Sequence, residues 1–399
     1  MKILWASPFF LHPTDRGAQI RSLGTLRELH KRHEIHFAAL NDPANTEGPE
    51  RAGEYSTTQT VVSHVAPKRG SLGMVPQLVA SLWEQVPLAV SRYASERLRS
   101  VIAAKMASEH FDSIVCDFLA CAPNMPDLSR TVLFEHNVEA TIWQRHASQA
   151  GNPLKQWFFT QQAQRMEMYE RNVCRSSRAV IAVSDLDARR MQQIFGVSNV
   201  ASVPTGVDLD YFRQPVTSPK RQGLVFVGSM DWLPNIDAVR FFLGQVFPLI
   251  LAQRPGTTFT IAGREPTAEI RELAAAVPGV TVTGTVPDIR PYLWESAVSV
   301  VPIRIGGGTR LKIYECMAAG LPTVSTTVGA EGLTYNDGKD ILIADEPAKF
   351  AAACLRLLEQ REAAMETAAN ALELVEQSFS WSAIGRVFEA ILERNRLEA

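Results

Sequence analysis

A short apolar run that stops at a glycine, a proline or a polar residue, followed by a stretch of helical periodicity, recurs along most of this chain. Residues 2–6 (Lys-Ile-Leu-Trp-Ala) form the first run, closed by Ser7 and Pro8. Ile20, Leu23, Leu26 and Leu29 then repeat at helical spacing as far as Lys31, and residues 35–40 form the next run. A near-continuous apolar run suits a strand covered on both faces, as strands of a parallel sheet are. Strand, loop, helix, strand is a βαβ unit with a right-handed crossover. The pattern predicts doubly wound α/β architecture.

Residues 113–116, 131–134 and 179–183 repeat the unit in the first half; residues 224–228, 258–263, 280–284, 298–302 and 323–325 repeat it in the second. With 399 residues, the chain is long enough for two domains of about 150–200 residues each. Residues 206–222, with Gly206, Pro215, Ser218 and Pro219 and little periodicity, read as a linker. The first domain is then 1–205 and the second 223–377. A C-terminal helix within 378–399, with Ile384, Val387, Phe388, Ile391 and Leu392 on one face, is expected to rejoin the first domain.

A hydrophobic fraction of 46% against 21% charged residues excludes a largely disordered chain. Forty Lys and Arg against 42 Asp and Glu, a net charge of −2, argue against nucleic acid as the main partner, which needs a broad basic surface. Five scattered cysteines with no C-x-x-C pair read as reduced thiols, not a disulfide framework or zinc site. The apolar start ends at Pro8, too early for a signal-peptide core or a membrane span. A cytoplasmic protein is expected. Two apolar patches, 72–90 and Leu154-Trp157-Phe158 flanked by Lys155 and Arg165, have two readings. One is a helix packed on its own sheet; the other is a surface helix dipping into the inner face of a membrane.

The chemistry concentrates in residues 305–315, Ile-Gly-Gly-Gly-Thr-Arg-Leu-Lys-Ile-Tyr-Glu, which follow an apolar run and open a helix closed by Gly320 and Pro322. The glycines permit close backbone approach, Thr309 is a candidate cap, and the free amides with the positive dipole end form an anion site. Arg310 and Lys312 add two cations to the same turn. Cations at a helix amino end are unfavourable alone, so a diphosphate is expected beside them. Glu315 stands three residues after Lys312, placed for a surface ion pair or for ribose hydroxyls. His136, between Glu135 and Asn137, follows an apolar run where an open sheet turns its ligand crevice. Two Asp-x-Asp triplets, Asp185/Asp187 and Asp208/Asp210, lack a third ligand and read as first-turn acids and linker, not a metal site. No nucleophile elbow, P-loop or G-x-G-x-x-G follows the first strand.

Residues 306–333 (Gly-Gly-Gly-Thr-Arg-Leu-Lys-Ile-Tyr-Glu-Cys-Met-Ala-Ala-Gly-Leu-Pro and onward) resemble the donor-binding segment of glycosyltransferase family 4. Residues 204–212, 226–230, 134–139 and 183–187 resemble further landmarks of that family, and 15–22 resemble members that build bacterial exopolysaccharides. The resemblance implies the GT-B fold, two Rossmann-like parallel-sheet domains facing across a cleft. It also implies a retaining, metal-independent transfer from a nucleotide-diphosphate sugar to a glycan or lipid-linked acceptor. It places Gly17 at the donor diphosphate, His136 at the transferred sugar, and Gly228 and Ser229 at the phosphate turn. Arg264 and Val286 come near the base, Gly308, Thr309 and Arg310 at sugar and phosphate, and Glu315 at the ribose, with Arg16 and Asn137 on the acceptor side. Arg310, Lys312 and His136 are the implied catalytic set, with no metal or cofactor. The sequence departs twice: Gly307 stands where the first Glu of the family's Glu-x7-Glu motif belongs, and Ser229 and Asn235 stand where many relatives carry Arg and Lys. Arg310 and Lys312 are read as replacing that charge. The competing expectations are a nucleotide-sugar epimerase of the same fold and a non-catalytic nucleotide-sugar-binding protein. A nicotinamide-dependent enzyme lacks its glycine fingerprint.

Overall fold

Strand β1 (Lys2–Ser7) pairs in parallel with β2 (Glu34–Asn41) on one side and β4 (Ser113–Asp117) on the other. The computed structural model to which they belong describes residues 1–14, 17–65, 86–148, 151–216, 221–305 and 310–398. Beyond them come β3 (Thr58–Ser63), β5 (Thr131–Phe134), β6 (Ala179–Ala182) and β7 (Val200–Ser202), in the order β3-β2-β1-β4-β5-β6-β7. The chain's second sheet contains β8 (Leu224–Val227), β9 (Phe259–Ala262), β10 (Val280–Val282), β11 (Val298–Val301), β12 (Thr323–Ser325) and β13 (Leu342–Ile343). Its order is β10-β9-β8-β11-β12-β13, and every pairing in both sheets is parallel. Both are Rossmann-like. Strand order reverses at β1/β4 in one sheet and β8/β11 in the other, and such switch points are where doubly wound sheets hold ligands.

Apart from Lys2 the central strands β1, β4, β5 and β11 are buried, as their apolar runs require, with side chains of Ile, Leu, Val, Trp and Phe at 0–1% exposure. Three strands carry no such run. They are β3, β7 and β13, and each is an edge strand, where one neighbour and partial solvent contact remove the need for apolar side chains.

The chain divides into two units, Met1–Gly206 with Ile384–Ala399, and Val207–Ala383. Residues 207–222, read from composition as linker, and the start of the segment 378–399 thus lie with the second unit. Val207 donates its N–H to Phe379 O at 2.7 Å and bridges Ser380, while Trp294 Nε1 donates to Phe212 O. The helix Trp381–Arg394 buries Ile384, Phe388, Ile391 and Leu392, but Val387, expected on the same face, is 43% exposed. Phe388 packs against Trp5 and Phe134 of the first sheet. The helix Gly17–His30 also turns differently from its leucine pattern: Ile20 is 42% exposed, whereas Arg21 and Ser22 are buried. Of the expected apolar helix at 72–90, residues 72–85 lie outside the described residues. Pro87 starts a short helix, Leu88–Ser91, with Leu88 and Val90 buried.

Candidate functional site

In the second unit the site grows from the turn after β8. Gly228 N–H donates to Ala262 O at the end of β9, and Met230 N–H donates to Arg264 O, so the two strand ends are laced together. Gly263 has φ +153°, and a Cβ there would stand 1.8 Å from Gly228 O. A Cβ on Gly228 would meet Asn235 Nδ2 at 2.6 Å and Lys312 Nζ at 3.0 Å. Gly263 is therefore required by close backbone approach, and Gly228 leaves room for the Asn235 and Lys312 side chains packed against it. Arg264 Nε donates to Ser229 Oγ at 3.0 Å, and the same hydroxyl donates to Asp231. That bond holds the Asp231 carboxyl below the usual range, with Arg264 contributing.

Lys312, one residue into the helix Leu311–Ala318, reaches this turn from the far side of the switch point. Its Nζ donates to Asn235 Oδ1 at 3.1 Å and lies 4.6 Å above the Phe226 ring, while Asn235 Nδ2 donates to Ser229 O at 2.7 Å. Asn235 is 2% exposed. Burial, then the Arg310 charge, pull the Lys312 ammonium down to about 7, against the opposing pull of Glu315. Arg310 is buried at the start of this helix, its guanidinium 4.9 Å from the Trp232 ring centroid. The Glu315 carboxyl is raised by burial, which Lys312 opposes, and it has no hydrogen-bond partner among the described residues. Arg264 is exposed, and Val286 is half-buried just past β10. Gly308 and Thr309, with the rest of 306–309, lie outside the described residues.

The first unit carries a second polar cluster, also at the carboxyl ends of its strands. His136 follows β5, is 4% exposed, and lies between the Phe118 and Phe134 rings. Its Nε2 is 2.7 Å from Asp117 Oδ1 at the end of β4, and its Nδ1 is 3.1 Å from Arg21 Nη1. A guanidinium only donates and a carboxylate only accepts, so Nδ1 is bare and Nε2 carries the proton. Burial lowers the His136 pKa, with the Asp117 bond opposing. Ser22 Oγ lies 3.3 Å from Nε2, Trp5 Nε1 donates to Asp117 Oδ2, and Arg21 Nε donates to Thr205 Oγ1. Both ring nitrogens of His136 are thus engaged within the first unit; a sugar hydroxyl reaches one only by displacing a partner. Gly17 opens the helix Gly17–His30 with no heavy atom within 4 Å of a built Cβ, and Asn137 is exposed. Asp15 and Arg16 lie outside the described residues. The Asp-x-Asp residues have local duties: Ser184 caps the helix Asp185–Phe195, and Asp208 accepts from Tyr211 N–H as a cap.

Two family models match this chain. The model for Glycosyltransferase Family 4 covers residues 16–211, and that for Glycosyl transferases group 1 covers residues 221–360. The chain is a glycosyltransferase, with a Glycosyltransferase Family 4 domain followed by a group 1 domain. This glycosyltransferase is 19% identical over 335 residues to an uncharacterized 44.6 kDa protein in the cps region of Klebsiella pneumoniae, covering 81% of this chain and 83% of that one. Its fold matches that of sucrose-phosphate synthase from Thermosynechococcus elongatus, with a TM-score of 0.68, 16% identity and 99% of each chain covered. It also matches Anabaena HepE in complex with UDP and glucose, with a TM-score of 0.65, 14% identity and coverage of 99% and 100%.

The glycosyltransferase holds polar residues that spacing alone does not single out. Arg21 and Thr205 are 184 positions apart, and Asp117 lies 19 before His136. The one local signal is Arg21 itself, a charge next to the apolar stripe of its helix. Trp232, beneath Arg310, carries no periodic signal at all.

Proposed function

We propose that the chain is a retaining, hexosyl-type transferase moving a sugar from a nucleotide-diphosphate sugar to a hydroxyl of a saccharide or lipid-linked glycan, in polysaccharide biosynthesis. The observation that carries this reading is Lys312 seated on Asn235 under the crowded Gly228–Gly263 turn, with Arg310 beside it at the same helix start. A diphosphate at that turn finds two cations where the family more often places them on the turn itself. HepE, bound to UDP and glucose, and the cps-region relative support a uridine-type donor and a polysaccharide setting.

As the sugar–phosphate bond breaks, negative charge grows on the leaving diphosphate. Arg310 and Lys312 stabilise that charge, the electrostatic term that dominates many transfers. No metal ion is called on for it. Among the described residues no side chain stands out as the nucleophile of a double displacement, so departure and attack share one face of the sugar. The leaving oxygen then helps take the acceptor proton. Glu315 receives the ribose hydroxyls; Arg264 and Val286 flank the base. Gly17 and His136 serve the donor from the first unit, with Arg16 and Asn137 toward the acceptor. The protein acts in the cytoplasm. The helix Pro153–Ser176 supports a peripheral membrane contact, since Leu154 is 73% and Trp157 53% exposed.

The test is incubation with nucleotide sugars, with and without saccharide acceptors, reading product and anomer by NMR. Transfer that needs acceptor and keeps the anomeric configuration supports the proposal. An epimerised donor without acceptor moves the reading to the epimerase, and donor binding with no turnover moves it to a sensor.

A further inference from the structure

The second unit holds a cavity of about 1020 Å3 at the end of its sheet opposite the Gly228 turn. Gly223, Thr258, Ala297 and Pro322, which line it, immediately precede β8, β9, β11 and β12. A strand of four residues spans about 13 Å, so this cavity lies at the amino ends of the strands and the diphosphate turn at their carboxyl ends.

Its charge is one-sided. Arg221, Arg254 and Arg361 line it, no acidic residue does, and none of the three is in an ion pair among the described residues. Arg221 donates to Ala319 O at 2.7 Å, to Gly320 O and to Gln214 Oε1, all neutral acceptors, and its buried Nε has no partner among the described residues. Arg254 Nη1 donates to Leu358 O. In a chain of net charge −2, three arginines around one cavity without a carboxylate leave a positive field that an anion neutralises. The side chains of Gln222 and Thr258 make no hydrogen bond to the described protein, which leaves donors and acceptors for hydroxyl groups. Leu357, Leu358 and Met365 supply an apolar wall of the kind that takes the flat face of a sugar ring.

We infer that this cavity binds an anionic saccharide, a sugar carrying phosphate or carboxylate, at a site separate from the donor turn. Arg221 ties the site to the carboxyl end of the helix Leu311–Ala318, whose amino end holds Arg310 and Lys312. The inference stands without the donor reading above.

The experiment is calorimetric titration of the full chain with glucose 1-phosphate and, separately, with digalacturonate, with glucose as the neutral control. Wild type, Arg254→Ala/Arg361→Ala and Lys312→Ala are compared. Arg254 and Arg361 are exposed, so the double variant is expected to fold, with a melting curve as check. At least one anionic probe should bind wild type and Lys312→Ala alike and bind the double variant at least about tenfold more weakly, as loss of charge-assisted contacts predicts. Which probe binds distinguishes the phosphate from the carboxylate source. No anionic binding to wild type, equal binding to the double variant, binding lost in Lys312→Ala, or glucose binding as well as its phosphate would each overturn the inference.

Discussion

Lys312 Nζ lies 3.1 Å from Asn235 Oδ1, with a pKa drawn down from 10.5 to about 7, chiefly by burial. Between those values the unfolded chain binds a proton that the folded chain does not, so this group's contribution to stability rises with pH from about 7 upward. Ligand binding runs the other way. A diphosphate favours the charged form, so the affinity for a nucleoside diphosphate should fall as pH rises through 7, with a slope approaching tenfold per pH unit. In Lys312→Ala that slope should vanish, and affinity at pH 6 should fall by roughly 10- to 100-fold. Calorimetry at pH 6, 7, 8 and 9 checks both; a flat wild-type profile removes Lys312 from the diphosphate. His136 acts through its neighbours, holding Arg21 on one nitrogen and Asp117 on the other. His136→Ala should therefore lower kcat by more than it raises the donor dissociation constant. Steady-state kinetics beside calorimetry read the split, and unchanged kcat would make the histidine purely structural.

At the scale of elements, the C-terminal helix is the clearest dependence. Phe388 lies 5.6 Å from Trp5 and 5.1 Å from Phe134, and a Cβ on Gly385 would stand 2.7 Å from Glu28 Cβ. Phe388→Ala should cost about 3–5 kcal/mol and Gly385→Ala about 1–3 kcal/mol by overpacking. Both should speed hydrogen exchange at β1 while leaving β8 unchanged. The helix itself was legible in sequence from its 3.6-residue repeat; Val387's exposure was not, because the repeat fixes a face but not how much of it the sheet covers. Arg21 against Ile20 makes the same point. The leucines locate the stripe, but the Asp117–His136 pair that draws Arg21 inward is assembled from distant strands. The other testable element is the helix Pro153–Ser176. If Leu154 and Trp157 meet a membrane, Leu154→Asp/Trp157→Asp should abolish flotation with anionic vesicles that carry the wild type. Equal flotation would assign the patch elsewhere.

For the whole molecule, the two switch points organise everything described. The helix start with its two cations and the acid at Glu315 were legible because they are contiguous in sequence. The Lys312–Asn235 bond was not, its partners being 77 positions apart, although the departure at Ser229 and Asn235 points to charge supplied from elsewhere. The three arginines of the opposite cavity come from separate loops and helices, and no local pattern joins them. A near-neutral chain thus keeps its positive charge in local concentrations. The central claim is that Arg310 and Lys312 hold the diphosphate of a sugar donor. Calorimetric titration of wild type and Arg310→Ala/Lys312→Ala with a panel of nucleotide-diphosphate sugars at pH 6.5 measures it directly. The account predicts that at least one donor binds wild type one to one and binds the double variant at least about 100-fold more weakly. No donor binding to wild type, or equal binding to both, would contradict it.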